Sequence, residues 1–115
     1  MTGKPLKPRA SATRDAYQIV EYYEEEAGGP VADRFAAALE AAYRRLRRNP
    51  AIGSPLIGES CKRPGLRTWP VTGFPYLVCY FDGAESVDVW RILHGARDLA
   101  LLLGEAGENG ADADG

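Results

Sequence analysis

Between residues 11 and 48 the apolar side chains recur every three or four positions, and the pattern is broken once, by Ala27-Gly28-Gly29-Pro30. Ala12, Ala16, Ile19, Val20 and Tyr23 form one stripe; Val31, Phe35, Leu39, Ala42 and Leu46 form the next. That period describes amphipathic helices, over about 11–27 and 30–48. Ser11 or Thr13 is placed to cap the first, the glycines stop it, and Pro30 suits the first turn of the second. Asn49 before Pro50 ends the second helix. The two are therefore expected to fold back on each other as a helical hairpin. Neither stripe can be hidden by the other alone, so a further layer is required.

That layer is legible downstream. After the turn-rich stretch 49–65, read as a loop with three prolines and three glycines, come "LRTWPV" (66–71), "YLVCYF" (76–81) and "VDVWRILH" (87–94). All three are rich in β-branched and aromatic residues, and "TGFP" and "DGAES" separate them as hairpin turns. The middle run is apolar throughout, as a strand covered on both faces would be. "KPLKPRAS" near the amino terminus suits an edge strand, where proline is tolerated. "GARDLALLLG" reads as a short closing helix. The fold class that follows is α+β: a two-layer β-α-α-β-β-β domain, with the helical hairpin packed on a small twisted antiparallel sheet. One domain over residues 1–103 is expected, with 104–115 an acidic disordered tail.

The 115 residues suffice for one core. No apolar run approaches the length of a membrane span, and the amino-terminal stretch lacks the apolar segment of a secretion signal, so the cytoplasm is the expected compartment. Cys61 and Cys79 have neither metal-site spacing nor a second pair, and free thiols are expected. The net charge of −2 is unevenly spread. The tail carries Glu105, Glu108, Asp112 and Asp114 and no base, whereas residues 41–67 carry seven bases against Glu59 alone. Such a cluster attracts a polyanion or an acidic partner, although arginines at a helix C-terminus also complement its dipole. Glu21, Glu24, Glu25 and Glu26 oppose the first apolar stripe and read as a solvated face.

The chemistry-bearing residues concentrate in "SVDVWRILHGARDL" (86–99). Arg91 shares strand parity with Val87 and Val89. It is either an arginine paired with Asp88, Asp98 or a helix acid, or a guanidinium held on a rigid strand for phosphate or carboxylate. His94, the only histidine, is a candidate general acid or base or a strand-end histidine capping a backbone carbonyl, with Gly95 beside it for backbone freedom. Arg97 follows. Arg67, with Lys62 and Arg63, is placed to line a groove shared with Arg91, or to stack on Trp69. No metal constellation, phosphate loop or nucleophilic triad is visible, and no cofactor is expected.

In this order, "DAYQIVEYY", "RFAAALEAAYRRLRRNPAIGSP", "GLRTWPVTGFPYLVCY" and "VWRILHGARDL" resemble the RelE/ParE superfamily of type II toxin–antitoxin toxins, over about residues 9–103. The resemblance implies that fold, a cytoplasmic toxin and no membrane partner. Its ParE-like branch, which "ILHGARDL" is most similar to, is implied to bind DNA gyrase and stall it on cleaved DNA. No catalytic residue is then expected, and Arg67, Arg91, His94 and Arg97 are target-binding candidates. Its RelE-like branch is a metal-independent, ribosome-dependent mRNA endoribonuclease; there Arg67 and Arg91 would hold phosphate and His94 would move a proton. No tyrosine, lysine or second histidine follows His94 to complete that set. A third alternative is a non-toxic module that retains antitoxin binding. The resemblance further implies a ParD-like, ribbon–helix–helix antitoxin whose apolar anchors and acids would meet Phe35, Leu39, Tyr43, Arg44, Leu46, Arg47 and Arg48; Phe35 and Leu39 also suit plain core. Direct binding to nucleic acid is left open.

Overall fold

In the computed structural model, which describes residues 3–100, the first helix α1 spans Ala10–Glu26 and the second, α2, Gly29–Arg48. Gly28 supplies the left-handed joint between them at φ 97°. The N-cap of α1 is Arg9, without a side-chain cap. Neither Ser11 nor Thr13 takes that role: the Ser11 hydroxyl donates instead to the Trp90 carbonyl at 2.7 Å. The stripe of α2 is buried as Ala32, Phe35, Leu39, Ala42 and Leu46, with Val31 half-buried at its start.

Strands β1 (Leu6–Pro8), β2 (Leu66–Pro70), β3 (Tyr76–Asp82) and β4 (Val87–His94) form one sheet in the order β1-β4-β3-β2. The pairs β2–β3 and β3–β4 are antiparallel. The sheet is nevertheless mixed, because β1 runs parallel to β4, from Leu6↔Val87 to Pro8↔Val89. A parallel neighbour needs a long connection, and the whole chain between β1 and β4 provides it. Both faces of the sheet are covered. The helices lie on Val78, Tyr80, Val87, Val89 and Ile92, joined by an aromatic cluster of Tyr23, Phe35, Phe74 and Tyr76 with ring centroids 5.3–6.4 Å apart. Opposite, Cys61, Leu66, Cys79, Leu93 and Leu99 form a second cluster. Val78, Cys79 and Tyr80 are fully buried, as a doubly covered strand requires.

Two features depart from the strand and loop readings. Tyr80 pairs with Val89 and Cys79 with Arg91, so Trp90 is an extra residue in β4. This bulge ends the parity that Arg91 would otherwise share with Val87 and Val89. The stretch read as a loop contains a 3-10 turn, Pro50–Ile52, and a short helix α3, Leu56–Ser60. Gly58 lets α3 press on β2, since a Cβ there would sit 2.4 Å from the Leu66 carbonyl oxygen. Past α3, Arg63 N–H donates to the Gly58 carbonyl at 2.8 Å and Lys62 is left-handed at φ 60°. That is a helix stop in which lysine occupies the usual glycine position. Lys62→Gly is therefore expected to stabilise the fold by about 0.5–1 kcal/mol, seen as a higher denaturant midpoint at unchanged slope.

Residues 97–100 are helical, which begins the closing helix; the remainder of that helix, the boundary at 103 and the 104–115 tail lie outside the described residues. Among the described residues no helix is long and apolar enough to cross a membrane. Both cysteines are free and buried, and burial pushes the Cys79 thiol up to about 12, which makes it unreactive.

Candidate target-binding groove and helical surface

β1 is only three residues long, so the outer edge of β4 past Val89 has no strand beside it. Side chains take its place: the Trp90 carbonyl accepts from Ser11, Ile92 N–H donates to Asp15 Oδ2 at 2.9 Å, and His94 N–H donates to Asp98 Oδ2 at 2.8 Å. This closes an edge that would otherwise invite another strand. Along it runs a groove of about 930 Å³ between α1 and β4, whose lining includes Tyr22, Arg63, Trp90, Arg91, His94 and Arg97.

The guanidinium groups at this groove are largely engaged. Arg91 makes a two-pronged pair with Asp15, Nε to Oδ2 at 2.6 Å and Nη2 to Oδ1 at 3.0 Å. Asp15 is buried on the apolar face of α1, so the pair with a helix acid anticipated for Arg91 is what the fold contains. The hydrogen bonds to Asp15 strengthen the proton affinity of the guanidinium and outweigh the effect of its burial. Arg97 Nε lies 3.1 Å from Asp98, and Arg9 pairs with Asp88 through two nitrogens. Arg63 differs: its guanidinium lies 4.6 Å from the Trp90 ring centroid, and its Nε is buried without a hydrogen-bond partner.

His94 acts as a helix cap. Its Nδ1 accepts from Arg97 N–H at 3.1 Å while Asp98 accepts from His94 N–H, a reciprocal arrangement at the start of the 97–100 turn. It caps an amide rather than a carbonyl. Burial alone would raise the Asp98 carboxyl, but the His94 amide and the Arg97 guanidinium outweigh it and hold the group below the usual carboxylate range. Asp98 therefore supports this corner at neutral pH, and the support fades as pH falls through its lowered folded value. The His94 ring packs edge-on against Tyr76 at 5.4 Å. Gly95 has no left-handed backbone, and a Cβ there would meet the Pro75 carbonyl at an ordinary 3.6 Å, so conformational freedom is not its role.

Arg67 stands apart from this groove. Its Nη1 donates to the carbonyls of Ala51 at 3.2 Å and Gly53 at 2.6 Å. The Tyr80 hydroxyl completes the clamp, donating to the Pro50 carbonyl and accepting from Gly53 N–H. "NPAIGSP" and "GLR" are thus two halves of one loop anchor, and Arg67 does not line the groove that Arg91 lines. Nor does Arg67 stack on Trp69, whose cationic neighbour is Arg45 at 5.9 Å.

Of the residues expected to meet an antitoxin, Phe35 and Leu46 have no exposed surface and Leu39 is nearly buried; all three serve the core. Phe35, Leu39 and the half-buried Tyr43 also border an apolar groove of about 390 Å³ on the outer side of the helical hairpin, beside the exposed Tyr17. Burial, aided by the charge of Asp15, pushes the Tyr43 phenol up to about 12. Arg44, Arg47 and Arg48 are exposed at the end of α2. Arg63 and Asp15 are the site residues with the weakest sequence signal. Arg63 was readable only together with Lys62 and Arg67 as lining a groove shared with Arg91, and of the three it alone lines that groove, while Asp15 lies 76 residues from its partner.

A family model described as the ParE toxin of the type II toxin–antitoxin system parDE matches residues 6–99. The chain belongs to the ParE toxin family. A ParE toxin from Caulobacter vibrioides, Toxin ParE3, is 37% identical over 81 residues, covering 70% of this chain and 76% of that protein. A structure described as the chromosomal ParDE toxin–antitoxin system from P. aeruginosa has the same fold, with a TM-score of 0.68 over 82% of this chain and 98% of that one at 20% identity. As a ParE toxin the chain is one half of a ParDE pair, with a cognate antitoxin as the other.

Proposed function

We propose that this ParE toxin works in the cytoplasm by binding DNA gyrase and stalling it on cleaved DNA, and that a ParD-like, ribbon–helix–helix antitoxin neutralises it. The observation that carries the choice against bond cleavage is the Asp15–Arg91 pair together with the His94 cap. A nuclease needs guanidinium groups free to meet developing phosphate charge and a side chain free to move a proton. Here Arg91 and Arg97 are held by carboxylates, Arg67 by loop carbonyls, and His94 Nδ1 by a backbone amide. Such a surface suits recognition of a protein, for which aromatic and arginine side chains are the favoured anchors. Arg91, Arg97 and Arg63 form the target-facing group, His94 orders the corner that carries Arg97, and Arg67 supports it from the loop. The antitoxin covers the outer side of the helical hairpin at the apolar groove of Tyr17, Leu39 and Tyr43.

Expression of the chain without its antitoxin is expected to cause filamentation and a DNA-damage response, and His94→Ala is expected to keep that toxicity while losing about 1 kcal/mol of stability as a cap. Rapid loss of full-length mRNA with replication continuing, or a folded His94→Ala protein without toxicity, would favour the endoribonuclease. No growth effect from the wild-type chain would leave only the non-toxic antitoxin-binding module.

A further inference from the structure

The last two turns of α2 carry Arg44, Arg45, Arg47 and Arg48, all exposed. A helix C-terminus gains from a nearby cation, but four guanidinium groups within five residues repel one another. Their only carboxylate neighbour among the described residues is Glu40, 3.9 Å from Arg44 with both side chains well exposed. Arg45 leans on Trp69, and Arg47 and Arg48 have no ion pair among the described residues. Positions 44, 47 and 48 share one side of the helix within about 6 Å along its axis. In the groove described above the balance is the opposite, with Arg9, Arg91 and Arg97 each facing a carboxylate.

The shape of this surface narrows what it can hold. A protein partner needs apolar or aromatic anchors at the centre of its contact. The exposed large apolar side chains of the described residues are Tyr17 and Tyr22 on α1 and Leu56 on α3, and α2 turns Ala42 and Leu46 inward. What remains outward is closely spaced positive charge with planar donors. This matches a phosphodiester backbone, where point charges supply the affinity and no apolar anchor is required. We infer that the arginine end of α2 is a docking surface for the backbone of duplex DNA, engaged without regard to base sequence. The choice of DNA over RNA rests on the gyrase reading above, since that target presents the toxin with a DNA duplex.

Fluorescence anisotropy of a labelled duplex with the purified toxin tests this without gyrase present. Three or four phosphate contacts give a logarithmic salt slope of about −3, so affinity is expected to fall roughly 40- to 150-fold between 50 and 200 mM salt. The double change Arg47→Gln/Arg48→Gln is expected to lower the slope by about two contacts and weaken binding more than tenfold at 50 mM. Arg34→Gln, an exposed arginine near the other end of α2, removes one charge and is expected to leave the slope unchanged. Thermal melts confirm that each variant is folded. No duplex binding at 50 mM, equal loss in both variants, or tighter binding to RNA or to polyglutamate than to DNA would overturn the inference. Any of these results leaves the gyrase reading to its own assay.

Discussion

Phe35→Ala is expected to cost about 3–5 kcal/mol of folding stability, the range for removing a fully buried aromatic ring. Phe35 has no exposed surface and contacts three rings, with centroids 5.9 Å away at Tyr23, 5.3 Å at Phe74 and 5.7 Å at Tyr76. These rings join α1, α2 and the β2–β3 connection, so the cavity would open where the helical layer meets the sheet. For a domain of this size the loss corresponds to a fall in melting temperature of more than about 12 °C. The result also separates two roles for the residue. Phe35 lines the groove beside Leu39 and Tyr43 yet has no exposed surface, so its truncation is expected to weaken antitoxin binding through lost stability. A variant that melts near the wild-type temperature yet no longer binds antitoxin would place the ring at the interface instead.

Asp15→Ala is the second large effect, at about 2–4 kcal/mol. Two groups lose their partner at once: the Arg91 guanidinium and the Ile92 amide. Removing one member of a buried pair costs about 3–5 kcal/mol because the other is left uncompensated. Arg91 retains 38% of its side-chain exposure, so water recovers part of that loss. The orphaned Ile92 N–H adds about 1 kcal/mol or more. Asp15→Asn keeps an acceptor for that amide and is expected to fall between alanine and wild type. Denaturant melts of the three proteins measure the series; an alanine variant within about 1 kcal/mol of wild type would mean that the edge of β4 does not depend on this carboxylate.

Local pattern carried the parts of the fold that repeat locally. The two helical stripes, the glycine joint and the three-stranded meander all follow from periods of 3.6 and 2. The bulge at Trp90 was hidden because "VDVWRILH" reads as one unbroken strand, and an extra residue is defined only against its neighbour β3. The parallel pairing of β1 joins residues about 80 positions apart, beyond the reach of any local signal. α3 is too short, at five residues, to show a period.

The site was legible as a set of residue types but not as a set of partners. Arg91, His94 and Arg97 do line one groove. Asp15 stands three residues after Ala12 and four before Ile19, on the apolar stripe itself, but a carboxylate is passed over when only apolar positions are counted, and that position commits Arg91. Arg67 was separated from the groove by contacts to carbonyl oxygens, which every residue carries and no sequence pattern marks. Ser11, legible as a cap, was drawn off by an unpaired carbonyl of the sheet edge.

The most direct test of a toxin that recognises a protein and cuts no bond itself is a gyrase-mediated DNA cleavage assay with the purified chain. Linear DNA covalently held by gyrase is expected to accumulate with wild-type and His94→Ala protein alike, and adding the cognate antitoxin is expected to abolish it. Absence of trapped cleavage product, together with scission of mRNA on translating ribosomes, would contradict that account.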